Sequence, residues 1–452
     1  MVFCVARFAL GGAHRQYRGG TKHRKVGKTI DFQKNVYLCR SFIGSSRRYG
    51  ELFALSRVAK EDAEHTFILE YIAVTMSVEI RKVSSAAELK KFIRFNYELY
   101  KDNPFSVPDL YEDVKDTLSP EKNAAFDFCE AEYFLAYREG EIVGRVAAII
   151  NKRANETWQR SVVRFGWIDF VDDMEVSSAL LDAVKAWGKE RGMTEMEGPL
   201  GFTDLDAEGM LIEGFDQLST MATIYNHPYY PQHMERLGLE KSADWVEMKI
   251  YIPETIPEKH KRISEIVQRK YGLRIRKVTS RKEILKTGLA HRIFQLVNDA
   301  YAPLFGFSRM SDRQIDAYVK MYVPVLDLRM VTLVENAEGE LVAVGVSMPS
   351  LSKALQKAKG RIWPFGWFHL LRALFVKRPE VLDLLLVAVR PDYQGKGVNA
   401  LLFTDLIPIY QQLGYKYAES NPELEENDKV QNQWQYFQCE QHKRRRCYKT
   451  SI

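Results

Sequence analysis

The sequence predicts an α/β protein of the α+β type. Two tandem domains follow one another, each a mixed, mostly antiparallel sheet flanked by helices. Three observations carry this reading. A short segment recurs: Ile80-Arg81-Lys82-Val83-x-Ser85-x-x-Glu88 returns as Ile275-Arg276-Lys277-Val278-x-Ser280-x-x-Glu283. A hairpin pattern recurs at nearly the same offset. A third strand with a following helix closes each copy.

The elements are justified in chain order. Each recurring segment reads as a short strand and a helix start, with Ser as cap and Glu three residues on. The first hairpin is 133–137, a turn at Glu139-Gly140, and 142–150; its counterpart is 330–335, a turn at Glu338-Gly339, and 341–348. The third strand and helix are 165–171 and 176–191 in the first copy, and 382–389 and 400–413 in the second. Leu180, Leu181, Val184 and Trp187 fall at helical spacing and give the first of these helices one buried face. The expected layout is a poorly ordered basic N-terminal extension over 1–75, a first domain over 76–250, a linker helix over 251–270, and a second domain over 271–452. Met76 is expected to be the true start. A targeting segment is the alternative reading of the residues before it.

Composition bounds the function. The 452 residues suffice for two to three domains. The net charge of +6 is concentrated at the start, where residues 1–75 carry 13 Lys/Arg against 6 Asp/Glu. The remainder is close to neutral, which argues against a nucleic-acid partner. Cys4, Cys39, Cys129, Cys439 and Cys447 are odd in number and scattered. They signal neither a zinc site nor a disulfide framework, and no metal is expected. No apolar run reaches the roughly 18 residues a membrane span needs. The expected location is the cytoplasm, with peripheral contact on the inner face of a membrane as an option.

The most chemical segment is Leu384–Ala400, an apolar strand, Arg390-Pro391, the turn Gln394-Gly395-Lys396-Gly397, then Val398-Asn399 and a helix from Ala400. Glycines let backbone N–H groups converge, and the helix end adds its positive dipole, so the turn suits a pyrophosphate. Gly-x-Gly-x-x-Gly is missing, which argues against a dinucleotide fold, and no Lys-Ser/Thr follows, which argues against a P-loop. The equivalent turn of the first copy is Asp172-Asp173-Met174-Glu175. Its three carboxylates would repel a phosphate, so the first domain is expected to shape an acceptor site.

This strand–turn–helix resembles the acetyl-CoA loop of the GNAT acyltransferase superfamily, whose pattern is Gln/Arg-x-x-Gly-x-Gly/Ala. Gln394 and Gly397 match, while Asn399 stands where a small residue is usual. Further blocks resemble one bacterial branch, the long-chain N-acyltransferases similar to bacterial ceramide synthase. They include 103–108 (NPFSVP), 198–202 (GPLGF), 214–216 (GFD) and Tyr225-Asn226-x-Pro228-Tyr229-Tyr230. The resemblance implies two GNAT-like domains, acyl-CoA or acetyl-CoA as co-substrate, and transfer to an amine, a sphingoid base being one candidate. It also implies that Val387, Ala388 and Val389 offer backbone donors to the donor's carbonyl, and that a Tyr meets the departing thiolate. Tyr436 is the candidate, two residues later than the family pattern. Acyl carrier protein is an alternative donor carrier.

Transfer to an amine needs a base, because an ammonium has no lone pair. The densest polar cluster is 203–230. From it Asp204, Glu208 and His227 are candidate bases, Tyr225 and Tyr229 orient the acceptor, and Asn226 joins them as a substrate contact. An insertion at 352–379 carries Trp363, Phe365, Trp367 and Phe368 between basic residues. It reads as a lipid contact or the wall of an acyl tunnel, with Trp363 and Trp367 touching substrate; the plainer alternative is a core helix. The tail Lys443-Arg444-Arg445-Arg446-Cys447-Tyr448-Lys449 reads as a basic strand. Solvation is its simplest environment, and CoA phosphates or lipid heads are alternatives. Two other functions remain open: an acetyltransferase acting on a small polar amine, and a non-catalytic CoA-binding protein.

Overall fold

The computed structural model describes residues 77–452. The expectations for 1–75 and Met76 lie outside the described residues. One 14-stranded sheet runs through the described chain, in the order β1-β2-β3-β4-β5-β14-β7-β12-β11-β10-β9-β8, with β6 on β14 and β13 on β7. The strands are β1 (Glu79–Lys82), β2 (Cys129–Arg138), β3 (Glu141–Asn151), β4 (Val162–Phe170), β5 (Glu195–Gly198), β6 (Met210–Glu213) and β7 (Glu240–Tyr251). They continue with β8 (Arg274–Lys277), β9 (Val331–Glu335), β10 (Leu341–Pro349), β11 (Val381–Val389), β12 (Tyr417–Glu419), β13 (Glu423–Leu424) and β14 (Cys439–Ser451). The helices used below are α1 (Ala86–Leu99), α2 (Met174–Lys189), α3 (Tyr229–Arg236), α4 (Glu258–Tyr271), α5 (Arg281–Lys286), α6 (Leu289–Tyr301), α7 (Asp312–Tyr322), α8 (Gly366–Leu371) and α9 (Asn399–Gln412).

The doubling is visible atom by atom. Ser85 caps α1 by accepting from the Glu88 N–H, and the Glu88 carboxylate accepts from the Ser84 N–H. Ser280 caps α5 from Glu283, and the Glu283 carboxylate accepts from the Thr279 N–H. Each repeated strand then pairs antiparallel with the first strand of a hairpin, β1 on β2 and β8 on β9. The face of α2 picked out by spacing is the buried one, with Val176, Leu180, Leu181, Val184 and Trp187 in the core under β3 and β4. Each half is a mixed, mostly antiparallel sheet flanked by helices.

The expected ranges 76–250 and 271–452 follow the chain, whereas the sheet exchanges the last strand of each half. β7 comes from the first half and pairs with β12 of the second. β14 comes from the second half and pairs with β5 of the first. The two exchanged strands pair with each other along most of their length. The halves therefore share one continuous centre.

The basic tail is a correction. It lies in β14, in the middle of the sheet, and is not a solvated face. Lys443 and Arg445 are fully buried. The Lys443 ammonium bridges Glu247 at 3.2 Å and Glu419 at 2.9 Å. Arg444 and Arg446 both pair with Asp244 on β7. Burial alone would raise the Glu247 carboxyl, but Arg445 and Lys443 hold it down to about 2. Glu247, Glu419 and His442 are close enough to share a metal ion, yet the Lys443 ammonium already joins both carboxylates.

Candidate functional site

The site starts from a strand that loses its neighbour. β11 pairs parallel with β12 only at Val381–Asp383, against Tyr417–Glu419. Beyond that point the two strands part. Leu385 has no partner on β10, which marks a bulge between Leu384 and Leu386. The carbonyls exposed by the parting are met by side chains. Asn421 Nδ2 donates to Leu385 O at 2.9 Å, Tyr301 Oη to Val387 O at 3.0 Å, and Gln394 Nε2 to Val389 O at 3.1 Å. An extended residue sends its N–H and C=O to the same side. The N–H groups of Val387 and Val389 thus face the opening as well.

The opening is a cleft of about 610 Å³, counted out to its mouth, and its lining is almost wholly apolar. Gly345, Val346 and Leu384 form one wall, and Leu402, Phe403 and Leu406 of α9 form another. Ile250 and Ile252, at and just past the end of the exchanged strand β7, close the third side with Trp434 and Phe437. The first half therefore contributes to a cleft that belongs to the second.

The glycine turn sits at the end of β11. Gly395 and Gly397 have φ of +73° and +80°, the left-handed region that favours glycine. A Cβ on Gly397 would stand 2.7 Å from Ile263 Cγ2 on α4. Among the described residues nothing accepts from the backbone N–H groups of Gly395, Gly397 and Val398. Those donors, the start of α9 and the Lys396 ammonium over the Tyr271 and Tyr393 rings make a cradle for an anion. The first half has no such cradle. Asp173 caps α2 by accepting from the Glu175 N–H. Asp173 and Glu175 also bind Arg138, and Asp172 Oδ1 lies 3.0 Å from His233 Nε2.

The candidate bases fall in different places. Asp204 and Glu208 share the loop between β5 and β6 with Asp206. Burial pushes Asp204 up to about 7 and Asp206 to about 6, and carries Glu208 well above the usual carboxylate range. The Arg164 guanidinium opposes this; it donates to Gly201 O at 3.1 Å and Gly306 O at 3.3 Å. Tyr225 and Asn226 line a second cleft, in the first half, and His227 and Tyr229 pack against its lining residues Tyr225 and Tyr230. Asn226 imitates a strand: it accepts from Leu211 N–H at 2.6 Å and donates to Leu211 O at 3.0 Å. Tyr225 donates to Phe215 O and Tyr229 to Phe170 O. His227 stacks between Tyr100 and Tyr229, and burial lowers its pKa. None of these side chains lines the β11/β12 cleft.

Tyr436 accepts from Lys259 at the outer side of α4. Its neighbours Trp434 and Phe437 line the cleft instead. Asn399 opens α9 at the cleft and donates to Gln433 Oε1 at 3.0 Å. Val387 lines the cleft, while Ala388 points into the core under α6. Trp363 and Trp367 belong to the insertion. Trp367 packs on its core and donates to Pro364 O at 3.0 Å, and Trp363 is exposed.

Two groups that bond to residues of the cleft lining, Trp434 and Val387, without lining it themselves escaped the sequence reading. Glu423 on β13 accepts from Trp434 Nε1 through both carboxylate oxygens at 3.0 Å. Burial pushes its carboxyl up to about 7. Its charge reaches Tyr301, whose hydroxyl is itself pushed up to about 12 by burial. Glu423, Tyr301 and the Val387 peptide thus form one polar group beside an apolar cleft. Asn421-Pro422 after a short strand was the available signal, since it marks a turn that redirects the chain.

The fold is thus a doubled α/β sheet with a glycine turn suited to an anion in its second half. No family model matches the sequence. The chain is similar to Protein YghO of Escherichia coli (strain K12), 28% identical over 389 residues, covering 82% of this chain and 95% of that protein. It is also similar to the bacterial ceramide synthase of Caulobacter vibrioides (strain NA1000 / CB15N), 27% identical over 365 residues, covering 79% and 94%. Among solved structures, a tandem GNAT protein from the clavulanic acid biosynthesis pathway superposes with a TM-score of 0.47 at 10% identity, covering 83% of this chain and 98% of that one.

Proposed function

We propose that this chain is an N-acyltransferase that carries an acyl group from acyl-CoA to an amine, with a long-chain lipid amine of the sphingoid-base type as acceptor. One observation carries the reading: an apolar cleft opens beside a strand edge, and a glycine turn with unused backbone donors follows at the end of that strand. Those three parts match an acyl chain, a thioester and a pyrophosphate. The similarity to a bacterial ceramide synthase supports the choice of acceptor.

In this reading the free N–H groups of Gly395, Gly397 and Val398 hold the pyrophosphate. The Val387 N–H donates to the thioester oxygen and stabilises the oxyanion as it forms. Glu423 takes a proton from the ammonium, directly or through water, and frees the lone pair. The amine attacks the carbonyl carbon, the C–S bond breaks, and the sulfur leaves as thiolate to be protonated to CoA–SH. A carboxyl with a pKa near 7 suits the base, since at neutral pH it is part ionised and part able to return the proton.

The test is thiol release with palmitoyl-CoA or acetyl-CoA, each offered sphinganine or a panel of polar amines. Release with the long-chain pair alone is expected. Release only from acetyl-CoA with a polar amine would replace this reading with an ordinary acetyltransferase.

A further inference from the structure

Between β10 and β11 the chain leaves the sheet and builds a platform. Its inner side is ordinary core: Ile362, Leu370 and Leu374 pack on Leu351, Leu355 and Met348. Its outer side is not. Trp363 is 62% exposed, Phe365 73%, Phe368 51% and Val376 79%, with Phe375 beside them. An outer face with so many large apolar side chains on one short segment marks an interaction surface.

Charge says what covers it. From Ser352 to Pro379 there are seven Lys and Arg and no Asp or Glu. Lys353, Lys357, Lys359, Arg361, Arg372 and Lys377 are exposed and flank the aromatic residues along the chain, while Arg378 is turned in toward Asp327 at 3.4 Å. Aromatic residues at the centre with cations at the rim match the two layers of a bilayer surface, acyl boundary inside and anionic headgroups outside. No helix of the described residues is long and apolar enough to cross a membrane, so the contact lies in the surface plane. The platform is also fixed to the rest of the molecule. Gln356 donates to Pro104 O and Ser106 O, and Tyr111 N–H donates to Gly360 O.

We infer that the outer face of 352–379 docks the protein on an anionic lipid bilayer, with Trp363, Phe365, Phe368 and Phe375 entering the interface and the basic rim meeting headgroups. Leu385 of β11 packs into the platform core. The inner side of the platform thereby rests on the strand that edges the cleft. This inference stands apart from the acyl-transfer reading, because vesicle binding requires no turnover.

The experiment is co-sedimentation of the full chain with phosphatidylcholine vesicles containing a third phosphatidylglycerol, beside pure phosphatidylcholine. Binding is expected on the anionic vesicles, weakening as salt is added. The triple change Phe365→Ser, Phe368→Ser, Phe375→Ser is expected to lower binding at least roughly tenfold. The rim change Lys357→Glu, Arg361→Glu, Arg372→Glu alters only exposed side chains, and should also abolish it. In the unchanged chain, brominated lipid should quench tryptophan emission, and Trp363→Phe should remove most of that quenching. Equal binding to both vesicle types, no quenching, or a stable dimer that the triple change dissolves without any vesicle binding would each overturn the inference.

Discussion

The hydroxyl of Tyr301 donates to the carbonyl oxygen of Val387 at 3.0 Å, where β11 has lost its neighbour. Tyr301 ends α6, so one hydrogen bond ties that helix to Val387, the strand residue whose N–H the proposed mechanism assigns to the thioester oxygen. Replacing Tyr301 with Phe leaves a carbonyl at the cleft without its donor. A loss of about 1–3 kcal/mol in transition-state stabilisation is expected. Steady-state kinetics should show it chiefly in kcat, with the KM for the acyl donor little changed.

Glu423→Gln should keep the shape of the site and remove the base. A fall in kcat of roughly 10²–10⁴-fold is expected. The pH profile gives the sign. The base works ionised, so kcat/KM of the unchanged protein should rise with pH through about 7 and then level. In Glu423→Gln that rise should vanish. Persistence of the limb would move the base elsewhere, with Asp204, also near 7, as the next residue to replace.

Gly345 lines the cleft, and a Cβ there would lie 3.3 Å from Leu406 Cδ1 on α9. Gly345→Val should narrow the cleft without touching the anion cradle. Turnover of palmitoyl-CoA should fall relative to acetyl-CoA, measured as the ratio of their kcat/KM values. An unchanged ratio would take the acyl chain out of this cleft.

Asp383 lies at the closed end of the cleft strand, and burial, aided by Glu419, pushes its carboxyl up to about 7. A raised acid is destabilising once the unfolded chain ionises. The penalty is absent below the unfolded pKa of 3.8, grows as pH rises toward 7, and is constant above it. Asp383→Asn should therefore raise the melting temperature at pH 8 but hardly at pH 4, by up to about 4 kcal/mol in stability.

Lys443→Met should do the opposite. It leaves Glu247 and Glu419 facing each other without the ammonium that joins them. A loss of about 3–5 kcal/mol is expected in denaturant titration.

The repeat, the caps and the strand–turn–helix were legible because each is a local pattern. Ser85 and Ser280 cap helices by bonds that span three residues, and Gln394–Gly397 forms a turn within itself. The exchange of β7 and β14 was not legible, since period-two alternation identifies a strand and not its neighbour. For the same reason Lys443 and Arg445 looked like surface charges; their partner Glu247 is nearly 200 residues away. Glu423 was hidden by company. Glu425 and Glu426 make it look like one of a solvated acidic group, and only Trp434, folding back over it, makes it a buried acid. The cluster at 203–230 was correctly seen as dense, but Asn226 and Tyr225 spend their polar atoms on the backbone of β6 and its loop.

The exchanged strands also impose a timetable. On a ribosome the first half emerges complete in sequence as far as β7, yet the edge of β5 stays bare until β14 arrives about 190 residues later. At ordinary elongation speeds that is a wait on the order of 10–40 s. Throughout it, an open strand edge and the lone carboxylate of Glu247 must be shielded by something other than their eventual partners.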